Sequence, residues 1–294
     1  MLNAIIGQKK KNPVCPIETN VKGKLALITG ATSGIGKETA RGLLKRGVRT
    51  ILSARNETKL NELVNEFQAE GITKEMLYTV TFDLGDLKSL DTLESQLEKQ
   101  IKNEKIEILI ENAGVWPKNF ETTKQNFEIA FGTNVLGHFA LRKILQKKFL
   151  SNTAKVVIVT GDIYILEKEC TGELKYSGPI GGIKAYCQSK LGNIWIGLEL
   201  QRRFPDLNVT IVHPGVIATN LGDSGELGMK FKSLFMLSPI EGSQTSLYCA
   251  TQNTIKGGYY HNTFGLSSFL VGDPAIKMRD ANLLWEKLEK ILEN

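Results

Sequence analysis

Long apolar runs are missing from this chain of 294 residues: no stretch approaches the ~20 apolar residues that a membrane-crossing helix needs. Its opening, Met1 to Ile6, is too short for the core of a secretory signal and precedes its lysines instead of following them. Ile5 and Ile6 with Lys9, Lys10 and Lys11 amount to a weak peripheral membrane contact at most, since two apolar residues add little affinity. Cysteine is scarce. The four, Cys15, Cys170, Cys187 and Cys249, have neither metal-ligand spacing nor the density of a disulfide scaffold, which predicts reduced thiols and a cytoplasmic protein. His138, His213 and His261 are spaced far from any ligand motif, so no metal is expected. Charge of one sign is not concentrated either. The 37 basic residues against 31 acidic ones leave +6 spread along the chain with no aromatic-interleaved basic patch, which argues against nucleic acid as a partner.

What is present is alternation. Short apolar runs at 25–28, 50–53, 77–82, 106–110, 156–159 and 209–212, most of them rich in β-branched residues, read as buried strands. Amphipathic helix patterns lie between them at 34–46, 57–69, 86–103, 122–149 and 184–203, with Asp86 as a candidate N-cap and Pro205-Asp206 as a stop. A further amphipathic helix spans 273–292. Strand and helix alternating in this way predict an α/β fold, a doubly wound parallel sheet covered on both faces, in one domain over residues 23–294 after an N-terminal arm at 1–22. Residues 217–237 break the rhythm. This stretch carries Met229, Phe231, Phe235, Met236 and Leu237, and reads either as a substrate lid or as a surface helix packed on the core.

Three local patterns carry chemistry. Thr29-Gly-Ala-Thr-Ser-Gly-Ile-Gly36 follows a strand and opens a helix. There Gly30, Thr32, Ser33, Gly34, Ile35 and Gly36 would bring backbone and unpaired helix amides against a nucleotide pyrophosphate. The second strand ends in Leu52-Ser53-Ala54-Arg55, with no carboxylate to take a ribose 2′-hydroxyl. Arg55, with Lys37 directly after the glycine loop, suits a 2′-phosphate, which predicts NADP(H) over NAD(H). Finally, Tyr186 and Lys190 stand four residues apart, so on a helix the phenol and the ammonium share a face. An ordinary phenol titrates near 10, and a neighbouring ammonium favours its ionised form, bringing it toward the range of acid–base work.

Taken with Asp83-Leu84, Asn112-Ala-Gly114, Asn134 in Thr-Asn-Val-Leu-Gly-His-Phe139, and His213-Pro-Gly215, these motifs resemble, in order and spacing, the short-chain dehydrogenases/reductases, a Rossmann-like family. Ala185 to Asn193, the Glu-Leu-Gln-Arg-Arg stretch and the terminal Leu-Trp-Glu-Lys-Leu are similar to the branch of retinol dehydrogenases and WW-domain oxidoreductases. The resemblance implies hydride transfer between NADP(H) and a lipophilic carbonyl or alcohol such as a retinoid, steroid or aldehyde. It casts Tyr186 as the proton donor and acceptor, Lys190 as the holder of the nicotinamide ribose, and Asn134 as the anchor of a relay water. It adds Asp83, Leu84, Asn112, Ala113, Gly114, Pro214, Gly215 and Thr219 to the cofactor contacts. It also implies a homodimer through the helices at 122–149 and 184–203.

The chain departs from the family at the fifth strand, where Thr160 and Gly161 stand in place of two serines, the second of which orients the substrate carbonyl. Thr160 is a candidate substitute, although strand alternation aims neighbouring side chains at opposite faces. Loss of the hydroxyl at Gly161 leaves open a second reading, a dinucleotide-binding regulatory protein with impaired turnover. Asp162 is expected to raise the Tyr186 pKa by its charge. Glu111, where the family has asparagine, is either solvated or paired at the strand end.

Overall fold

The computed structural model describes residues 13–17, 20–217 and 236–293. Eight strands form one sheet: β1 (Leu25–Thr29), β2 (Arg49–Ala54), β3 (Leu77–Thr81), β4 (Ile106–Glu111), β5 (Leu150–Val159), β6 (Asn208–Val212), β7 (Gly258–Tyr260) and β8 (Leu266–Ser267). Their order is β3-β2-β1-β4-β5-β6-β7-β8. The first seven strands are parallel and β8 pairs antiparallel to β7. β1 is buried along its whole length, as a strand sandwiched between two helical layers must be.

The helices among the described residues are α1 (Gly34–Leu44), α2 (Glu57–Ala69), α3 (Leu93–Ile101), α4 (His138–Lys148), α5 (Gly178–Arg203), α6 (Pro239–Thr251) and α7 (Met278–Glu293). Leu43 of α1, Leu63 and Phe67 of α2 and Leu247 of α6 pack with Ile28, Leu52 and Ile110 on one face of the sheet. Leu97, Leu145, Ile194, Trp195 and Trp285, from α3, α4, α5 and α7, pack with Leu27, Leu109 and Val156 on the other.

The six strand expectations hold to within a few residues at most ends, although β5 starts at Leu150. Two helices are shorter than their apolar pattern suggests. Over 122–149 the chain first makes a tight reversal, with Thr122 bridged to Glu128 and Asn126 at φ 63°. The helical stretch then opens with the Glu128 carboxylate accepting from the Phe131 amide at 2.8 Å. A π-helical turn, Phe131–Gly137, precedes α4. Over 86–103, Asp86 does cap, accepting from the Lys88 amide, but the first turns are 3₁₀ and only Leu93–Ile101 is α-helical. β7, β8 and α6 had no counterpart in the sequence reading. The signal for α6 lay in Ser238-Pro-Ile-Glu241, a capping box with proline at the first turn.

The arm at 1–22 is described only in part, and Pro13–Ile17 is docked on the domain. Cys15 is buried, its amide donates to Gln244 Oε1 at 2.9 Å, and the Arg46 guanidinium holds its carbonyl at 2.7 Å. All four cysteines are buried and free. Among the described residues no helix is long and apolar enough to cross a membrane. The Ile5-Ile6 and Lys9–Lys11 stretch, and 218–235 of the lid expectation, lie outside the described residues. On either side of that stretch Ile217 bridges Leu237.

The helices that the dimer expectation names also carry α7. This helix lies across α4 and α5: Trp285 meets Phe139 edge-on at 4.8 Å, Glu289 pairs with Lys143 at 2.9 Å, and Arg203 stacks over Trp285 at 4.9 Å.

Glu111 is paired, the second of its two expected fates. Its carboxylate takes both Nε and Nη2 of Arg142 at 2.8 Å, with each side chain only 2 % exposed. A buried bidentate pair contributes little net stability over an apolar pair, but removing one partner strands a charge. Glu111→Ala should lower the unfolding free energy by about 3–5 kcal/mol, and Glu111→Leu combined with Arg142→Met should recover most of it, as read by urea denaturation.

Candidate active site

The glycine loop is shaped by steric necessity. Gly30 has φ 68° and sits against Ala113, where an added Cβ would come to 3.0 Å of the Ala113 Cα. A Cβ on Gly36 would meet the Gly30 carbonyl at 2.2 Å and Asn112 Nδ2 at 2.5 Å. The loop and the β4 end therefore close on each other only because both positions are glycine. Beyond them α1 begins with no side-chain cap at Ser33 and no acidic residue in its first turn. Thr32, Ser33, Gly34 and Ile35 are partly or fully exposed. Uncapped amides at a helix N-terminus, approached by a glycine backbone, fit a pyrophosphate. The residues present thus suit the dinucleotide that the fold implies.

Thr29, at the end of β1, joins this loop to the rest. Its Oγ1 accepts from the amides of Asn112 and Ala113, both at 2.9 Å, and lies 2.9 Å from His138 Nε2. Both lone pairs of the hydroxyl are then used, so its proton goes to Nε2, and the proton on His138 Nδ1 goes to the Asn134 carbonyl at 3.1 Å. Burial depresses the His138 pKa and keeps the ring neutral, as this bonding requires. Asn112 completes the joint by donating from Nδ2 to the Thr29 carbonyl at 2.9 Å. The Asn134 side chain is a clamp: Oδ1 accepts from the Val115 amide at 2.8 Å, and Nδ2 donates to the Val115 carbonyl at 3.0 Å and to Ser189 Oγ at 2.9 Å.

Tyr186 and Lys190 fall on α5 as their spacing predicts. The Tyr186 ring is stacked on Trp116, with centroids 4.7 Å apart and planes 4° from parallel, and Lys190 Nζ lies 5.3 Å from its centroid. Lys190 is 4 % exposed, donates to the Val159 carbonyl at 3.2 Å, and is lowered by burial to about 8. Tyr186 shifts the other way. Burial first, then the neighbouring Cys187, raises its phenol above the ordinary value. Here desolvation dominates, and the ammonium 5.3 Å from the ring centroid does not offset it. The Asp162 charge, expected to act on Tyr186, acts on Tyr259 and Tyr164 instead, both of them raised first by burial.

The fifth strand end is where the sequence reading needs most revision. The Thr160 hydroxyl donates to the Lys190 carbonyl at 2.8 Å, so it is turned into α5 and spent there. Gly161 is open: an added Cβ would meet only His213 Nδ1, at 4.0 Å. Asp162, His213 and His261, which are 51 and 48 residues apart in sequence, converge because β5, β6 and β7 are adjacent. Their potential ligand atoms lie within 4.8 Å of one another. Trp116 and this trio are what sequence reasoning missed. Only Trp116 left a signal, two residues beyond the Asn112-Ala-Gly114 motif.

Of the remaining expected contacts, Asp83 Oδ1 accepts from the Gly85 amide at 2.9 Å, and Leu84 is buried. Pro214 and Gly215, the latter at φ 93°, follow β6 at the same edge of the sheet. Lys37 pairs with Glu66 at 2.6 Å. Arg55 is exposed and makes no ion pair among the described residues. Thr219 lies outside the described residues.

A glycine-gated helix N-terminus beside a Tyr and Lys pair at the C-terminal ends of parallel strands defines a class of dinucleotide-dependent oxidoreductase, and comparison with known proteins agrees. The short chain dehydrogenase family profile matches residues 24–227, and the chain belongs to that family. Within it the chain sits near the retinol dehydrogenase branch. It is 34% identical over 260 residues to retinol dehydrogenase 14 of Mus musculus, covering 80% of this chain and 75% of that one. To retinol dehydrogenase 13 of Homo sapiens it is 30% identical over 294 residues, covering 95% and 87%. Among solved structures, an uncharacterized protein from Mycobacterium Paratuberculosis superposes with a TM-score of 0.72 at 25% identity, covering 94% and 96%. A blue fluorescent protein from a metagenomic library in complex with NADPH shares the fold, with a TM-score of 0.65 at 19% identity, covering 85% and 100%.

The buried ammonium makes a pH prediction. An unfolded lysine titrates near 10.5 and Lys190 in the fold near 8, so between these values the unfolded chain binds more protons and stability rises with pH. The penalty is complete below about 8. Lys190→Met should therefore be more stable than the parent at pH 7, by up to about 3 kcal/mol, and the gap should close as the pH is raised from 8 to 10.5. Parallel chemical denaturation series without cofactor check this.

Proposed function

We propose that the chain is an NADP(H)-dependent oxidoreductase that reduces a lipophilic carbonyl compound to its alcohol. The carrying observation is the stacked Trp116, Tyr186 and Lys190 arrangement at the strand ends, next to the glycine loop and the uncapped start of α1. The bound dinucleotide supplies the hydride. Gly30 to Gly36 would hold the pyrophosphate, Asn112-Ala-Gly114 would line the adenosine side, and Lys190 would hold the nicotinamide ribose hydroxyls.

NADP(H) is favoured by Arg55, an exposed guanidinium at the β2 end with no carboxylate beside it in Leu52-Ser53-Ala54-Arg55. Lys37 contributes less to this preference than its position suggests, because Glu66 already balances its charge. The names of the relatives support a retinoid-like, lipophilic substrate class.

Tyr186 is in the form that reduction needs. Desolvation keeps the phenol protonated at neutral pH, so it is poised to give a proton to the oxygen of a carbonyl as negative charge develops there. Asn134 and Ser189 hold the loop that carries Trp116 against α5, which keeps the phenol in place. No hydroxyl is offered at Gly161, so Tyr186 carries the oxyanion stabilisation that a serine would share. On the same ground a dinucleotide-binding regulator with little turnover is the second reading, favoured by the commitment of Thr160 to the Lys190 carbonyl.

Tyr186→Phe should abolish NADPH-dependent reduction of aldehydes and ketones while NADPH affinity, read by fluorescence titration, stays within about twofold. A parent protein that binds NADPH but turns nothing over supports the regulator instead. The open space at position 161 admits a serine, and Gly161→Ser should raise the rate by about tenfold or more. Arg55→Ala should weaken NADPH by about tenfold or more and leave NADH unchanged. Equal losses for both cofactors would remove the 2′-phosphate assignment.

A further inference from the structure

The ends of β5, β6 and β7 carry a group of polar side chains that hydride transfer does not use. Asp162 Oδ1 accepts from the Tyr259 hydroxyl at 2.5 Å and faces His261 Nε2 at 3.3 Å. Its Oδ2 faces His213 Nε2 at 3.5 Å. The Asp162 amide in turn donates to His213 Nδ1 at 3.2 Å. Next to this group, Tyr164 donates to the Asp273 carboxylate at 2.9 Å. Tyr259, Tyr164 and His213 are buried, yet the Asp162 side chain is 47 % exposed.

The protons can be assigned. His213 Nδ1 accepts a backbone N–H, so its ring proton is on Nε2, the nitrogen 3.5 Å from Asp162 Oδ2. Burial lowers this histidine to about 4, which keeps it neutral. A metal ion at Nε2 would need the very lone pair that the proton occupies, so the trio is not arranged as a metal site. What it offers is a carboxylate with acceptor capacity left over. An ionised carboxyl group accepts at about four positions; Oδ1 is engaged by Tyr259 and His261, whereas Oδ2 has only the long contact to His213. No lysine or arginine pairs with Asp162 or Asp273 among the described residues, so the locality is negative and favours a donor.

The position is as telling as the chemistry. Ligands of open α/β sheets lie outside the carboxyl ends of the strands, and Asp162 is three residues beyond Val159, whose carbonyl holds Lys190. Gly161 stands between Asp162 and that strand end, and it adds no side chain of its own there.

We propose that Asp162, oriented by Tyr259, His213 and His261, is a second anchor in the substrate cleft that accepts a hydrogen bond from a hydroxyl on the substrate. The preferred substrate is then a hydroxylated carbonyl compound, apolar along most of its length and polar at a second point, and a plain hydrocarbon ketone is a poorer ligand. This rests on the reading of the cleft as a carbonyl-reducing site and narrows its substrate class.

The test uses flexible methyl ketones of 8 to 12 carbons, each as the ω-hydroxy compound and as its ω-methoxy isostere, which keeps the oxygen and lacks the donor. Their binding to the full-length protein is measured by calorimetry with NADP⁺ present, so that no turnover intervenes. At one or more chain lengths the hydroxy compound should bind about tenfold tighter than its isostere, the size of a hydrogen bond to a charged group. In Asp162→Asn, which retains an acceptor for Tyr259, that ratio should fall toward one with the affinity of the methoxy compound unchanged. Equal binding of hydroxy and methoxy compounds by the parent at every length overturns the proposal, whether or not the variant folds. So does a preference that survives in Asp162→Asn. NADPH consumption with the same ketones separates the two readings: hydroxyl preference without turnover removes the reductase and keeps the anchor, and turnover without preference does the reverse.

Discussion

The hydroxyl of Thr29 is the joint on which the site turns. It is a buried group with two lone pairs and one proton, and all three are spent, on the amides of Asn112 and Ala113 and on His138 Nε2. A hydroxyl that satisfies three partners in a desolvated place fixes their positions more firmly than any one bond would, because each unmade bond there costs the full desolvation of its partner. Through it the end of β1 sets the loop after β4, and through the neutral imidazole it sets the Asn134 carbonyl and the π-helical turn before α4. Asn134 then clamps the Val115 backbone, which places Trp116 on Tyr186. The glycine loop, the dinucleotide side and the acid–base side are in this way parts of one network and not separate motifs.

Burial, more than pairing, governs the charges around the reacting centre. It drives the Tyr186 phenol up and the Lys190 ammonium down, shifting each toward its neutral form. A protonated phenol then stands beside a lysine whose proton is weakly held. The buried Glu111 and Arg142 pair stands one turn of α4 away from His138. It shows the complementary rule, that a full charge survives burial only against a bidentate partner.

Much of this was legible in the chain. Strand and helix alternation gave the sheet because a strand covered on both faces must be apolar throughout. Gly30 and Gly36 could be read because a glycine loop between a strand and a helix has few physical alternatives. The Thr160 orientation was half legible: alternation warned that it points away from its neighbour, but only the fold shows its proton on the Lys190 carbonyl. The helix at 122–149 was misread in its first turns because Phe127, Ala130 and Phe131 fit a helical spacing while the backbone just before them reverses at Asn126. The contact of α7 with α4 and α5 was not legible, because an amphipathic pattern shows an apolar face without showing which element covers it.

The sequence by itself determined what is local or periodic: the parallel α/β fold, the phosphate loop, and the spacing that puts Tyr186 and Lys190 on one helical face. Each of these follows from the geometry of a single element or of two in succession. Only the tertiary structure decided what depends on elements distant in the chain. It placed Trp116 against Tyr186, set the balance of burial that moves their protons, and laid α7 over α4 and α5. It also gathered Asp162, His213 and His261 at one edge. Strand order places β5, β6 and β7 side by side, and no spacing within the chain encodes that adjacency.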